Sequence, residues 1–226
     1  KSRADVLFLP CYRDQRMLDG VCKYAYEANW VLDTLPFHTQ NLPHGWEGDG
    51  VLCMLQIPTG RQALNDFVVE HAHLPVVDLS HNAPDIELPR VLQDNVGIGR
   101  LGAEHLLSRG CRRLGFVMHT RSAFHERRFD GFREGAAEVG VEVVFIKAPD
   151  DYMRAGRGAS WLTKHLCEGD GPFGIMAAAD YLSQWVVRAC DEAGIAIPEE
   201  VALMGVDNCR EICELSSVAI TSVDNN

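Results

Sequence analysis

Apolar and polar positions follow two alternating rhythms along this chain. Short apolar runs, rich in Val, Leu, Ile and Phe, are separated by stretches whose apolar residues recur every three to four positions. The runs at 4–9, 51–55, 74–78, 90–93, 113–118, 141–146, 173–177 and 201–205 read as strands. The stretches at 15–26, 61–71, 98–108, 127–139, 158–167 and 181–192 read as helices, the first carried by Met17, Leu18, Val21, Cys22 and Ala25. Strands this uniformly apolar are covered on both faces. The order βαβα therefore predicts the α/β class, with parallel sheets under helices on both sides. The Pro-rich stretch 81–89 reads as a loop, and no internal repeat or low-complexity linker is visible.

The same pattern predicts where a ligand would sit, because open parallel sheets bind beyond the carboxyl ends of their strands. Asp78, Asp94, Asp180 and Asp207 each follow an apolar run at such an end. Each could equally cap a helix, since Asp is a favoured N-cap. A carboxylate only accepts hydrogen bonds, so several at one edge suit a polyol better than an anion.

Composition narrows the class. Hydrophobic residues make up 46% of the 226, ordinary for a globular chain, and no apolar run approaches the length of a membrane span. No secretory leader opens the sequence, and eight cysteines stand without a paired framework, which fits a reduced, cytoplasmic setting. The net charge of −11 argues that this stretch does not itself grip nucleic acid.

Four weaker signals carry alternative chemistry. Gly97, Gly99 and Gly102 match GxGxxG before a helix, which keeps an NAD(P)-dependent oxidoreductase as a rival reading. The acidic residue that a dinucleotide ribose needs is missing, as the next strand edge reads Met118-His119-Thr120-Arg121. Cys209 with Cys213, and His71 with His73, lack a second pair at zinc spacing. His119 and His125 lie near Ser122, but no GxSxG elbow supports a hydrolase.

Two long segments resemble one family. GRLGAEHLLSRGCRRLGFV at 99–117 resembles the helix, turn and strand that open the second lobe of LacI-type transcription regulators. EAGIAIPEEVALMGVDN at 192–208 resembles that family's later helix, glycine stop, Pro-Glu turn and strand. Arg128 within Arg128-Phe129-Asp130-Gly131-Phe132 looks like the family's ligand-contacting arginine. The opening of the chain, with Gln93-Asp94-Asn95, is most similar to the xylose-operon activator branch, which carries an AraC-type DNA-binding module after its sensor.

The resemblance implies a two-lobed periplasmic-binding-protein-like clamp that is not an enzyme and takes no cofactor or metal. It implies a first lobe at 1–95, a second at 96–222, and a third crossover opening at 223–226. Its effector would be a monosaccharide such as xylose, closing the lobes around Asp14, Asp78, Asp94, Arg128, Tyr152, Asp180 and Asp207. DNA would be contacted through a module outside this chain, by a homodimer. A periplasmic sugar-transport protein would share the fold and is the main rival.

Overall fold

The computed structural model describes residues 3–56, 62–149, 158–166 and 171–225. By internal contacts the chain divides into two units, Lys1–Leu92 and Gln93–Asn226.

The first unit runs β1 (Ala4–Leu9), α1 (Gln15–Glu27), β2 (Trp30–Asp33), α2 (Leu35–Thr39), β3 (Gly50–Cys53), α3 (Gln62–Glu70) and β4 (Val76–Asp78). Its four strands are all parallel, in the order β2-β1-β3-β4. Alternation along β1 shows why both faces need cover. Leu7 and Leu9 pack with Leu64, Phe67 and Val68 of α3, while Phe8 packs with Leu18 of α1 and Phe37 of α2.

The second unit runs α4 (Asn95–Ser108), β5 (Arg113–Met118), α5 (Ala123–Ala137), β6 (Val143–Lys147), α6 (Ser160–Thr163), β7 (Phe173–Ala177), α7 (Asp180–Ala193), β8 (Val201–Val206), α8 (Arg210–Cys213) and β9 (Thr221–Val223). The sheet order is β6-β5-β7-β8-β9, again parallel throughout. Phe116 of β5 meets the rings of Phe129 and Phe132 from α5 at 5.3 and 5.6 Å. Gly194 ends α7 with φ 68, the left-handed stop that a side chain would strain.

Several elements depart from the expected pattern. The run 90–93 is not a strand: only Arg90 bridges Asp78, and Val91 is exposed. Helix α4 starts at Asn95 and α5 at Ala123, both earlier than the apolar rhythm indicates. The short strands β2 and β9, at the edges of their sheets, lack the long apolar runs that mark the central strands.

The early start of α4 changes the meaning of its glycines. Gly97, Gly99 and Gly102 lie inside the helix, not in a turn between strand and helix. A Cβ on Gly99 would stand 2.0 Å from the Arg128 carbonyl oxygen, and one on Gly102 would stand 2.3 Å from Met176 sulfur. The motif lets α4 lie directly on α5 and the sheet.

Candidate ligand-binding site

In the second unit the carboxyl ends of β5, β7 and β8 bring His119, Asp180 and Asp207 to one edge, and α5 adds Arg128. Arg128 lies in the second turn of α5, and its side chain is buried at 3% exposure. Burial is tolerated because the guanidinium is held on several sides. Its Nε donates to Asn95 Oδ1 at 2.8 Å, Nη1 to the Ala178 carbonyl at 2.6 Å, and Nη2 to Gln93 Oε1 at 3.3 Å. The Phe124 ring lies under it, 5.6 Å from centroid to Cζ. Asp207 Oδ1 stands 3.5 Å from Nη2, and that side chain keeps 34% exposure.

Asp207 occupies unusual backbone, with φ 103, followed by Asn208 at φ 47. Asparagine enters the left-handed region readily, but φ 103 lies beyond it, and a non-glycine residue stays there only when its surroundings hold it. The chain after β9 contributes, as Asn225 Nδ2 donates to Asp207 Oδ1 at 2.9 Å.

Asp180 is buried at 1% exposure. Its Oδ2 accepts from the Cys209 N–H at 2.7 Å and the Cys213 thiol at 3.4 Å, and its Oδ1 from the Ser222 hydroxyl at 2.8 Å. Burial raises its pKa, while these donors pull it back. The carboxylate thereby ties the start of α8 and β9 to α7.

Beside it, Tyr181 is 37% exposed and shares a hydrogen bond of 3.0 Å with His119 Nδ1. Both rings meet Trp185 edge-on. Burial and the nearby Asp207 carboxylate push the Tyr181 phenol up to about 12, so it stays a neutral donor and acceptor. The sequence pattern singled out His119 only as a hydrolase candidate, and it did not single out Tyr181, Trp185, Ser222 or Asn225. Their spacing in the chain gives no sign that the fold collects them at one edge.

The first unit treats its aspartates differently. Asp78 is fully buried: Oδ1 accepts from the N–H groups of Leu55 and Ser80 and from the Ser80 hydroxyl, and Oδ2 pairs with Arg90 Nε at 3.0 Å. Asp14 caps α1 by accepting from the N–H of Arg16 and Met17. In the second unit Asp94 caps α4 through the Gly97 N–H at 2.8 Å. Of the four strand-end aspartates, Asp94 thus shows the capping alternative, and Asp14, named through the resemblance alone, is a cap as well. Tyr152 lies outside the described residues.

Comparison with known proteins places this edge in a family. Residues 103–226, more than half of the chain and holding β5, β7, β8 and α5, match the profile described as a periplasmic binding protein-like domain. The chain belongs to the periplasmic binding protein-like domain family. Among relatives of this domain, the xylose operon regulatory protein of Escherichia coli is 26% identical over 228 residues, covering 93% of this chain and 55% of that protein. The protein of the same name from Haemophilus influenzae is 23% identical over 232 residues, covering 93% and 56%. A solved periplasmic binding protein-like structure, described as the xylose-binding transcription activator xylR, superposes with TM-score 0.74 at 25% identity, covering 99% of this chain and 59% of that one. The chain therefore spans about half the length of the curated relatives it matches. Among the described residues, no helix is long and apolar enough to cross a membrane.

Proposed function

We propose that this chain is the effector-sensing part of a transcription regulator, and that the effector is a neutral monosaccharide, a pentose such as xylose. The observation that carries the reading is the pair Arg128 and Asp207. A fixed guanidinium and a partly exposed carboxylate stand side by side at the carboxyl edge of a parallel sheet. A sugar hydroxyl both donates and accepts, so vicinal hydroxyls can use both partners at once. An anionic effector would find the arginine already neutralised and the carboxylate repulsive. Tyr181, exposed beside them, offers a hydroxyl and a ring edge to the same ligand. The relatives named as xylose operon regulatory proteins support the choice of sugar and the regulatory role. DNA contact belongs to another segment of the regulator, since 32 acidic against 21 basic residues repel phosphate here.

A thermal-shift panel tests this directly, because a ligand that binds only the folded state raises its stability by mass action. Xylose or another pentose should raise the melting temperature, while NAD and NADP should not. A shift with the dinucleotides and none with any sugar would sink the reading. Asp207→Ala should weaken the sugar by about 10- to 150-fold, the worth of a hydrogen bond to a charged group. Asp207 is a cleaner probe than Arg128, whose removal also strands Asn95, Gln93 and the Ala178 carbonyl.

A further inference from the structure

We infer that Ser222 and Asn225 are positioning residues for the effector, setting its affinity by holding the Asp207 carboxylate against Arg128 without touching the sugar. This rests on Asp207 being a sugar ligand. Asn208, at φ 47, is in the left-handed region that asparagine adopts readily, but Asp207, at φ 103, lies outside it and does not keep its shape by local preference. What keeps it is the strand β9 and the two residues after it. The Asp207 N–H donates to the Val223 carbonyl at 3.0 Å. The Asn208 N–H donates to Ser222 Oγ at 2.9 Å, and its side-chain amide donates to Asp224 Oδ2 at 3.1 Å.

Ser222 is the pivot because its oxygen must act in two senses. Asn208 N–H can only donate, so Ser222 Oγ accepts there. The Asp180 carboxylate can only accept, so the Ser222 proton goes to Asp180 Oδ1 at 2.8 Å. Asp180 in turn holds the Cys209 N–H at 2.7 Å through its other oxygen, so Ser222 and Asp180 together fix the two residues that follow Asp207. Asn225 completes the hold by donating Nδ2 to Asp207 Oδ1, the same oxygen that faces Arg128. Threonine can replace the serine in this role and alanine cannot. Aspartate at 225 has the shape of asparagine but no proton to donate, and it would repel Asp207.

Titration calorimetry on the intact protein with D-xylose, beside ligand-free crystal structures of each variant, tests the inference. Ser222→Ala and Asn225→Asp should each weaken D-xylose about tenfold, the scale of one lost hydrogen bond. Ser222→Thr should bind as the parent does. Ser216→Ala, which loses a comparable bond to the Ile212 carbonyl, should also bind normally. In the ligand-free crystals the Arg128–Asp207 separation, 3.5 Å here, should lengthen in Ser222→Ala and Asn225→Asp. Unchanged affinity, failure of threonine to rescue, or an equal loss in Ser216→Ala overturns the positioning role. If the parent itself binds no monosaccharide, the sugar reading fails. The crystal arm still decides the rest, since an unmoved Asp207 in both variants refutes the hold.

Discussion

His125 shows how a residue with apparent chemical promise can be spent on structure. The sequence sets it three residues after Ser122, in hydrolase-like company. In the fold it is buried at the first turn of α5, against the Phe124 ring, with Nδ1 3.3 Å from the Thr120 carbonyl. Burial lowers its pKa to about 4, only partly offset by that carbonyl, and the positive Arg128 works in the same direction. Between about 4 and the ordinary 6.5 the unfolded chain binds a proton that the folded one refuses. Stability should therefore rise with pH across that window, and about 2–3 kcal/mol of it should be lost on acidification to its lower end. Urea midpoints at pH 7 and pH 5 check this, with the drop reduced in His125→Asn. Equal drops in the two proteins would assign the acid sensitivity elsewhere. The strand-end pattern marked Asp207 and the family resemblance marked Arg128, but neither could separate Asp14 and Asp94 as caps from ligand groups, because the same carboxylate serves both uses.

Among elements, the pairing of α4 with α5 depends on what is missing from their side chains. A Cβ at Gly99 would meet the Arg128 carbonyl at 2.0 Å, and one at Gly131 would meet the Val96 carbonyl at the same distance. Backbone cannot yield as a flexible side chain can, so Gly99→Ala or Gly131→Ala must separate the helices. Each should cost at least about 2 kcal/mol, in the upper range of overpacking. Gly20→Ala in α1 makes the contrast, as nothing lies within 4 Å of its added Cβ. That change should stabilise by about 0.5–1 kcal/mol through helix propensity. Chemical denaturation of the three variants reads both signs, and a neutral Gly99→Ala would refute the close approach. The central strands were legible because two covered faces force unbroken apolar runs. The edge strands β2 and β9 were not, since the half-buried WVLD and TSV carry no such run. The start of α5 was hidden because its first turn, Ala123 to Glu126, lacks the apolar spacing that marks the rest.

For the whole molecule, charge is the property that the sequence states most plainly. With a net −11, the 226-residue stretch alone should leave duplex DNA unretarded in a gel shift at physiological salt. Retardation there would show a DNA-binding surface within these residues and overturn the division of labour proposed above. The class of fold was readable from rhythm, because parallel sheets impose it on every strand. The edge that gathers Arg128, Tyr181, Asp207, Ser222 and Asn225 was only partly readable, since those residues come from elements nearly a hundred residues apart. The two sheets also differ in when they can be assembled during synthesis. The described strands of the first, β1 to β4, have been delivered by Asp78, before the second sheet's first described strand starts at Arg113. Among the described residues, no pairing in either sheet waits for a strand of the other. The ribosome thus emits these four strands before any described strand of the second sheet, an order that keeps the apolar edges of the two sets from being exposed together as partners.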